Sequence, residues 1–287
     1  MAGVEEQARR MMEAIGSFDD LKEIERCKSL IDSEEEEELV DAVLLEIEER
    51  VRERRKDGAD DKVELPRWLV RTALRVWNYS KQDTIRVMTN FWSFRHSNAW
   101  PMVLKASEVE EELRSGVHWL LPGTDASGRG ILVYNARFLF RGHACSVEGL
   151  QKMGSFLMQK AIEKENIVKN GIVCVLDLQG VDLSITTKFG IADVKRGILM
   201  WKDAFPCKLK KIYLVNMGII LSTIVAMAKS ILSSKIRERV VLVDKTFQQL
   251  HADIDSSRLP PSLGGNFELD WESYIQFLLK DDQFNDS

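Results

Sequence analysis

Residues 212–228 read IYLVNMGIILSTIVAMA and contain no charged side chain. The first four residues form an apolar run, as in a strand that is covered on both faces. After a turn at 216–218, the pattern becomes apolar on almost every side of a helix at 219–232. A helix on the surface of a domain needs only one apolar stripe. The second apolar face of this helix therefore needs a partner, which could be protein core, a bound lipid or a bilayer surface.

A transmembrane helix is the first alternative for this segment. Its length is at the short limit of a membrane span, and it contains Asn216, Ser222 and Thr223. It also lies between strand-like runs in an alternating pattern. We therefore expect a buried strand followed by an apolar helix.

Strand-like and helical stretches alternate through the chain after Pro101. The helical stretches are predicted at about 146–165, 187–203 and 219–233. Predicted strands cover 117–121, 131–135, 172–177, 212–215 and 240–243. This order indicates an α/β fold with a mostly parallel sheet at its centre.

The region before Pro101 is predicted to be helical. Apolar residues at helical spacing give a helix at 34–56, whose charges indicate a solvated face or, alternatively, a docking surface for a protein partner. Residues 57–64 are predicted to be a linker. Two short helices follow within 65–95, the second opened by a capping box of Ser80 and Asp83.

Composition limits the functional classes. The chain has 287 residues, of which 45% are hydrophobic and 30% charged, and its net charge of −5 argues against a nucleic-acid binder. Residues 1–64 carry 11 Lys and Arg against 22 Asp and Glu, so an acidic segment precedes a mildly basic one. The four cysteines are widely spaced, which favours a reducing compartment. The acidic start MAGVEEQARR shows no signal peptide, and we expect a cytoplasmic protein.

The sequence contains no complete catalytic motif among those considered. Residues 123–128 have the spacing of a phosphate loop but lack the following Lys-Ser/Thr, so a polar hairpin turn is expected. His143 and Cys145 do not form a phosphatase loop, and the four histidines lack metal-ligand spacing. Asp177 and Asp182 lie where catalytic groups often occur in α/β folds, but no third group joins them. We expect no enzyme activity, no metal and no cofactor.

Basic residues surround the apolar segment. Between 205 and 245 there are eight Lys and Arg against Glu238 and Asp244. These cations are interpreted either as a solvated rim or as a patch for anionic lipid headgroups, where each cation contributes about 1 kcal/mol.

Several of these segments together resemble the CRAL-TRIO lipid-binding family. The resemblance rests on Asp203-Ala-Phe-Pro206-x-Lys208-x-Lys210-Lys211 and on Ser234-Lys-Ile-Arg-Glu-Arg239. It is supported by Leu259-Pro260-x-x-x-Gly264-Gly265, by Asp125-x-x-Gly128-Arg129 and by Asp177-Leu-Gln-Gly180. The pattern is most similar to the branch with tocopherol-transfer and retinaldehyde-binding proteins, and to the lipid-binding module of a tyrosine phosphatase.

The resemblance implies a three-layer α/β sandwich with a five-stranded sheet and a hydrophobic cavity, closed by a gate helix at about 219–232. An all-helical N-terminal module would precede it. The expected divisions are an acidic extension at 1–64, the helical module at 65–104, the lipid-binding domain at 105–268 and a tail at 269–287. The cavity is expected to be lined by apolar residues on flanking helices: Phe156, Leu183, Phe189, Val194, Ile198, Trp201, Ile220, Ile224, Met227 and Ile231.

The resemblance also implies that the basic patch contacts phosphoinositide headgroups, through Lys208, Lys210, Lys235, Arg237 and Arg239. The inositol-lipid branch has Lys and Glu where this chain has Asn78 and Cys207. Asn216-Met217-Gly218 replaces the Asn-x-Pro that is usual in the family after the fourth strand. We therefore expect a non-enzymatic lipid-binding or lipid-transfer protein that associates reversibly with anionic membranes. The alternatives are a protein-interaction module that uses residues 34–56 and, third, a hydrolase.

Overall fold

The computed structural model describes most of the chain, and the account below concerns residues 34–54, 63–140, 145–181, 192–193, 196–197, 200, 204–218 and 234–285. The helices are α1 (Glu34–Arg54), α2 (Arg67–Val76), α3 (Lys81–Ser97), α4 (Glu110–Arg114), α5 (Val147–Ala161), α6 (Glu165–Asn170), α7 (Ser234–Arg237), α8 (Gln248–His251) and α9 (Trp271–Asn285). The strands are β1 (His118–Thr124), β2 (Gly130–Asn135), β3 (Ile172–Asp177), β4 (Leu209–Val215) and β5 (Val240–Leu242).

Within these residues, five strands form one sheet in the order β1-β2-β3-β4-β5. β1 and β2 are antiparallel, and the other neighbouring strands are parallel. The segment with phosphate-loop spacing, 123–128, covers the end of β1 and most of the turn to β2. Asp125 closes this turn by accepting hydrogen bonds from the Ser127 and Arg129 amides. The predicted hairpin turn and the mostly parallel sheet are both confirmed.

β4 begins three residues earlier than the apolar pattern predicts, because Lys210 and Lys211 belong to the strand. Lys210 is exposed, and the Lys211 ammonium lies 2.6 Å from the Asp253 carboxylate. Asp253 also accepts a hydrogen bond from Tyr213. The strand accommodates both lysines because one reaches solvent and the other is paired.

One face of the sheet, which we name the packed face, is covered by the chain that follows β5. Strand residues including Val173, Val175 and Tyr213 are completely buried there. Their partners come from the segment that contains α8, among them Leu250, Leu259 and Leu263. At the end of this segment, a Cβ at Gly265 would lie 2.0 Å from the Leu259 carbonyl oxygen, so the glycine permits this close packing.

The opposite face, which we name the helix-side face, is covered by α5 near β1 and β2. Leu150, Met153 and Phe156 of α5 are buried in the same cluster as Leu120 and Leu132 of the strands. Helices therefore lie against this face and the β5–α9 connection lies against the other, which gives the three-layer α/β architecture that was predicted.

The N-terminal helices pack on one another. In α1, the side chains of Val40, Val43, Ile47 and Val51 are at most 3% exposed. Ser80 is the N-cap of α3, because its hydroxyl accepts a hydrogen bond from the Asp83 amide. The Ser80 amide donates to the Trp77 carbonyl and not to the Asp83 carboxylate, so only this half of the predicted capping box is present. The boundaries predicted at 64, 104 and 268 stay predictions, and the 57–64 linker lies mostly outside the described residues.

The helical stretch predicted at 146–165 is divided into α5 and α6. Of the stretch at 187–203, the described positions 192–193, 196–197 and 200 are helical. The apolar helix predicted at 219–232 lies outside the described residues.

Candidate lipid-binding and headgroup site

The helix-side face is least covered at β5. The register aligns Leu132, Cys174 and Ile212 across three strands, and it then pairs Ile212 with Val240 and Leu214 with Leu242. Leu132, Cys174 and Leu214 are buried, whereas Leu176, Ile212 and Val240 are only partly buried. Leu242 is 45% exposed. An apolar surface therefore extends across β3, β4 and β5 on this face.

These strand residues were missed by reasoning from the sequence, which placed the cavity on helices. The signal that could have found them is strand alternation. Because successive side chains point to opposite faces, Leu176, Ile212 and Val240 share the face opposite to Val175 and Tyr213. Pairing them across strands requires the register, which only the structure supplies.

The predicted cavity residues fall into two groups. Phe156 lies on α5, is completely buried and belongs to the cluster under the helix-side face. The other nine predicted residues lie outside the described part of the chain, so the cavity lining stays a prediction.

The His118 ring and the Cys174 thiol are buried on the helix-side face. The rings of His118 and Tyr134 stand nearly perpendicular, with centroids 4.6 Å apart. Burial lowers the pKa of His118 to about 3. Burial also raises the pKa of the Cys174 thiol to about 12, so this cysteine is held in its unreactive form.

The predicted headgroup residues lie at one end of β4 and β5. Lys208 directly precedes β4 and Lys210 is exposed within it, while Arg239 directly precedes β5. The Ile212 amide donates a 2.8 Å hydrogen bond to the Arg239 carbonyl, which fixes the two strands side by side. Arg237 is exposed in α7, and Lys235 belongs to the same helix. The fold thus brings these positions together at the end of the sheet where β4 and β5 begin.

Lys208 makes an unforeseen contact with the N-terminal helices. Its ammonium lies 5.2 Å from the centroid of the Trp77 ring, at the end of α2. Burial and the neighbouring Lys210 lower the pKa of Lys208 below its ordinary value. Arg86 lies 5.8 Å from the same ring. The helical module therefore contacts the headgroup end of the sheet through Trp77.

Asp177, which was considered for catalysis, is held by hydrogen bonds inside the protein. The Asp177 carboxylate is completely buried and accepts hydrogen bonds from the Gln179 amide and the Asn216 side chain. Asp182 and His143 lie outside the described residues. The described residues contain no group of His, Cys, Asp and Glu side chains suited to a metal ion.

The acidic start of α1 faces the arginines of α2. Glu36 is 5% exposed and accepts hydrogen bonds from Arg75 and from the Tyr79 hydroxyl. Glu37 pairs with Arg67 at 2.6 Å and also with Arg71. These carboxylates contribute to intramolecular contacts, and whether α1 also binds a protein partner stays a prediction. Within the described ranges, no helix combines the length and apolar character needed to cross a bilayer.

Comparison with known proteins agrees with this architecture. The family model for the CRAL/TRIO domain matches residues 114–265. Proteins named alpha-tocopherol transfer protein-like from Homo sapiens and Pongo abelii are 30% identical over 210 residues, which cover 72% of this chain and 60% of theirs. Tyrosine-protein phosphatase non-receptor type 9 from Homo sapiens is 27% identical over 203 residues, which cover 69% of this chain and 33% of the phosphatase.

A solved structure described as the crystal structure of Sfh5 has 13% sequence identity and a TM-score of 0.47, and the match covers 89% of this chain and 99% of that one. The chain spans about 60% of the length of the tocopherol transfer protein-like relatives. Because the family model covers more than half of the sequence, the chain belongs to the CRAL/TRIO domain family.

Proposed function

We propose that this protein binds one hydrophobic lipid over the helix-side face and transfers or presents it at membranes, without catalysing a reaction. The observation that carries the proposal is the difference between the two sheet faces. In β3 and β4, Val175 and Tyr213 are completely buried on the packed face, whereas Leu176 and Ile212 are partly buried on the other. In β5, Val241 on the packed face is partly buried, whereas Leu242 on the other face is 45% exposed. An apolar surface of this kind gains free energy when a lipid chain covers it, at about 0.8 kcal/mol per buried methylene.

The ligand would be a phospholipid, a phosphoinositide or an isoprenoid-type lipid. The name of the tocopherol transfer protein-like relatives supports a transfer role and an isoprenoid ligand. Under this proposal the segment 219–232 is the gate, and the predicted helix residues complete the cavity.

The second part of the proposal concerns the membrane. Lys208, Lys210, Arg237 and Arg239 would hold the protein reversibly against anionic lipid headgroups in the cytoplasm. Support comes from the common location of these residues at one end of β4 and β5, and from the exposure of Lys210 and Arg237. The attraction would weaken as salt screens the charges.

Ligand binding is tested by native mass spectrometry after incubation with phosphatidylcholine, phosphatidylinositol or α-tocopherol. We expect one lipid per chain for at least one probe. Leu176→Arg should abolish that complex, because it places a charge on the apolar helix-side face. Leu45→Arg, at a 68% exposed position of α1, should still form it. A chain that binds none of the probes, and releases no lipid into an organic extract, would contradict the proposal.

The membrane contact is tested by co-sedimentation with phosphatidylcholine vesicles that contain phosphatidylinositol phosphate. Replacing Lys208, Lys210, Arg237 and Arg239 by Ala should weaken vesicle binding and leave ligand retention intact. Lys280→Ala, at an exposed position of α9, is the control and should bind normally. Unchanged binding of the fourfold variant would remove the patch from the proposal.

A further inference from the structure

A buried polar cluster lies on the packed face at the carboxyl end of the parallel strands. Asn135 ends β2 and Asp177 ends β3, and the register places the two residues side by side. Each comes two residues after a buried valine of the packed face, so both side chains lie on that face. Asn135 is 1% exposed and Asp177 is completely buried. Two polar side chains therefore end a face that is otherwise apolar along β2 and β3.

Asn216 joins this cluster to the segment that covers the packed face. Its side-chain nitrogen donates to the Asp177 Oδ1 atom at 2.8 Å and to the Ser262 carbonyl oxygen at 3.3 Å. Because one nitrogen contacts both residues, Ser262 lies close to the Asp177 carboxylate. Asn135, Asp177 and Ser262, which are far apart in the sequence, therefore meet at one place in the fold.

Four atoms of these three side chains are buried and have no hydrogen-bond partner in the described structure. They are the Asp177 Oδ2 atom, the Ser262 Oγ atom, and both Oδ1 and Nδ2 of Asn135. Buried polar atoms in proteins are nearly always bonded, so several unpaired atoms at one place indicate a bound ion or bound water. Three of the four are oxygens, and one of these belongs to a carboxylate.

The charge of Asp177 distinguishes between these two occupants. The Asp177 Oδ1 atom accepts hydrogen bonds from the Gln179 amide and the Asn216 side chain, which are both neutral. No Lys or Arg of the described ranges forms an ion pair with this carboxylate. Buried charges in proteins are usually paired or coordinate a metal ion. Water would bond the free oxygens and leave the charge uncompensated, whereas a cation would offset it.

We propose that the Asp177 Oδ2, Asn135 Oδ1 and Ser262 Oγ atoms bind one monovalent alkali cation, Na⁺ or K⁺. Oxygen atoms are the ligands that hard cations take, and a single carboxylate offsets a single positive charge. The Asn135 nitrogen, which is a donor, takes no part in this coordination. The site lies at the carboxyl ends of the strands, where open α/β sheets bind ligands. It goes beyond the expectation of no metal ion, and it is independent of lipid binding on the opposite face.

The test is thermal unfolding of the full chain in sodium, potassium and choline chloride at equal concentrations. Choline supplies the same ionic strength but is too large for a buried site. We expect Na⁺ or K⁺ to raise Tm by about 3 °C relative to choline, the value for an ion at about ten times its Kd. Asp177→Asn should abolish this difference, and Ser262→Ala should reduce it. Asp255→Asn, at an exposed position, is the control and should retain it.

Three results would overturn the inference. Equal Tm values of the wild type in the three salts would exclude the cation and leave water as the occupant. A difference that persists in Asp177→Asn, or that Ser262→Ala leaves at full size, would place the ion elsewhere. Loss of the difference in Asp255→Asn would make it nonspecific. If Asp177→Asn does not fold, Ser262→Ala decides alone, because the hydroxyl it removes has no hydrogen-bond partner within the described chain.

Discussion

His118 is a base buried between the sheet and α5. Its ring lies against Gly154, where an added Cβ would come within 3.1 Å of the His118 Cε1 atom. Nδ1 has no hydrogen-bond partner, and burial lowers the pKa of the ring to about 3. A histidine in the unfolded chain has a pKa of about 6.5. Between these values the unfolded state binds a proton that the folded state excludes, so acid destabilises the fold.

We therefore predict that the free energy of unfolding falls on acidification partly because of His118. From pH 7 to about pH 5, this residue should account for a loss of about 2 kcal/mol, since one pKa unit corresponds to 1.36 kcal/mol. Urea unfolding of the wild type and of His118→Leu at both pH values measures it. The advantage of the wild type over the variant should shrink by that amount. A difference that stays constant between the two pH values would show that His118 does not titrate between them.

Gly171 sets the position of Lys208. Its φ is 83°, and a Cβ there would lie 2.2 Å from the Lys208 carbonyl oxygen. That carbonyl accepts a 2.9 Å hydrogen bond from the Ile172 amide, which aligns the start of β4 with β3. Only a residue without a side chain fits this approach.

Gly171→Ala should therefore cost stability and displace Lys208. Gly180→Ala is a matched control, because its φ is 74° and no atom lies within 4 Å of the added Cβ. We expect Gly171→Ala to lower the free energy of unfolding by about 2 kcal/mol more than Gly180→Ala does, and to weaken vesicle binding. Equal effects of the two variants in urea unfolding would mean that the contact with Lys208 is not limiting.

At the level of elements, α1 is held to α2 and α3 by both apolar and charged contacts. Val43 and Ile47 are completely buried, and Glu36 is engaged by Arg75 and Tyr79. Deleting residues 1–64 would therefore expose the core of the helical module as well as remove any docking surface. Point substitutions on α1 separate these two effects.

Glu36→Gln should lower the free energy of unfolding by about 1–3 kcal/mol, because it leaves partly buried arginine nitrogens without their carboxylate. Glu49→Gln, at an exposed position of the same helix, should change it by less than about 0.5 kcal/mol. Both values come from urea unfolding monitored by circular dichroism. If the two variants are equally stable, the Glu36 contacts contribute little to the packing of α1.

At the level of the whole molecule, the sheet was predictable because its strands are apolar in sequence. The interval 172–177 was predicted at its observed bounds, since it contains a continuous apolar run that ends at Asp177. The start of β4 was missed because the compensation of Lys211 comes from Asp253, far along the chain.

The site was less predictable than the fold, because it depends on contacts between distant segments. The basic residues could be named from their spacing, but the contact between Lys208 and Trp77 joins two separate parts of the sequence. Likewise, the acidic composition of 34–56 gave no indication that Glu36 would be buried against α2 and α3. The apolar residues of the helix-side face could be grouped only once the register of β3, β4 and β5 was known.

The central claim is that a lipid lies on the helix-side face. Photo-crosslinking with a fatty acid that carries a diazirine at the end of its chain tests it most directly, with peptide mass spectrometry to locate the label. We expect label on helix-side residues, namely Leu176, Ile212, Val240 and Leu242, and we expect unlabelled lipid to compete it away. Label on Val173, Val175 or Val243 of the packed face, or no label that a competitor removes, would contradict it.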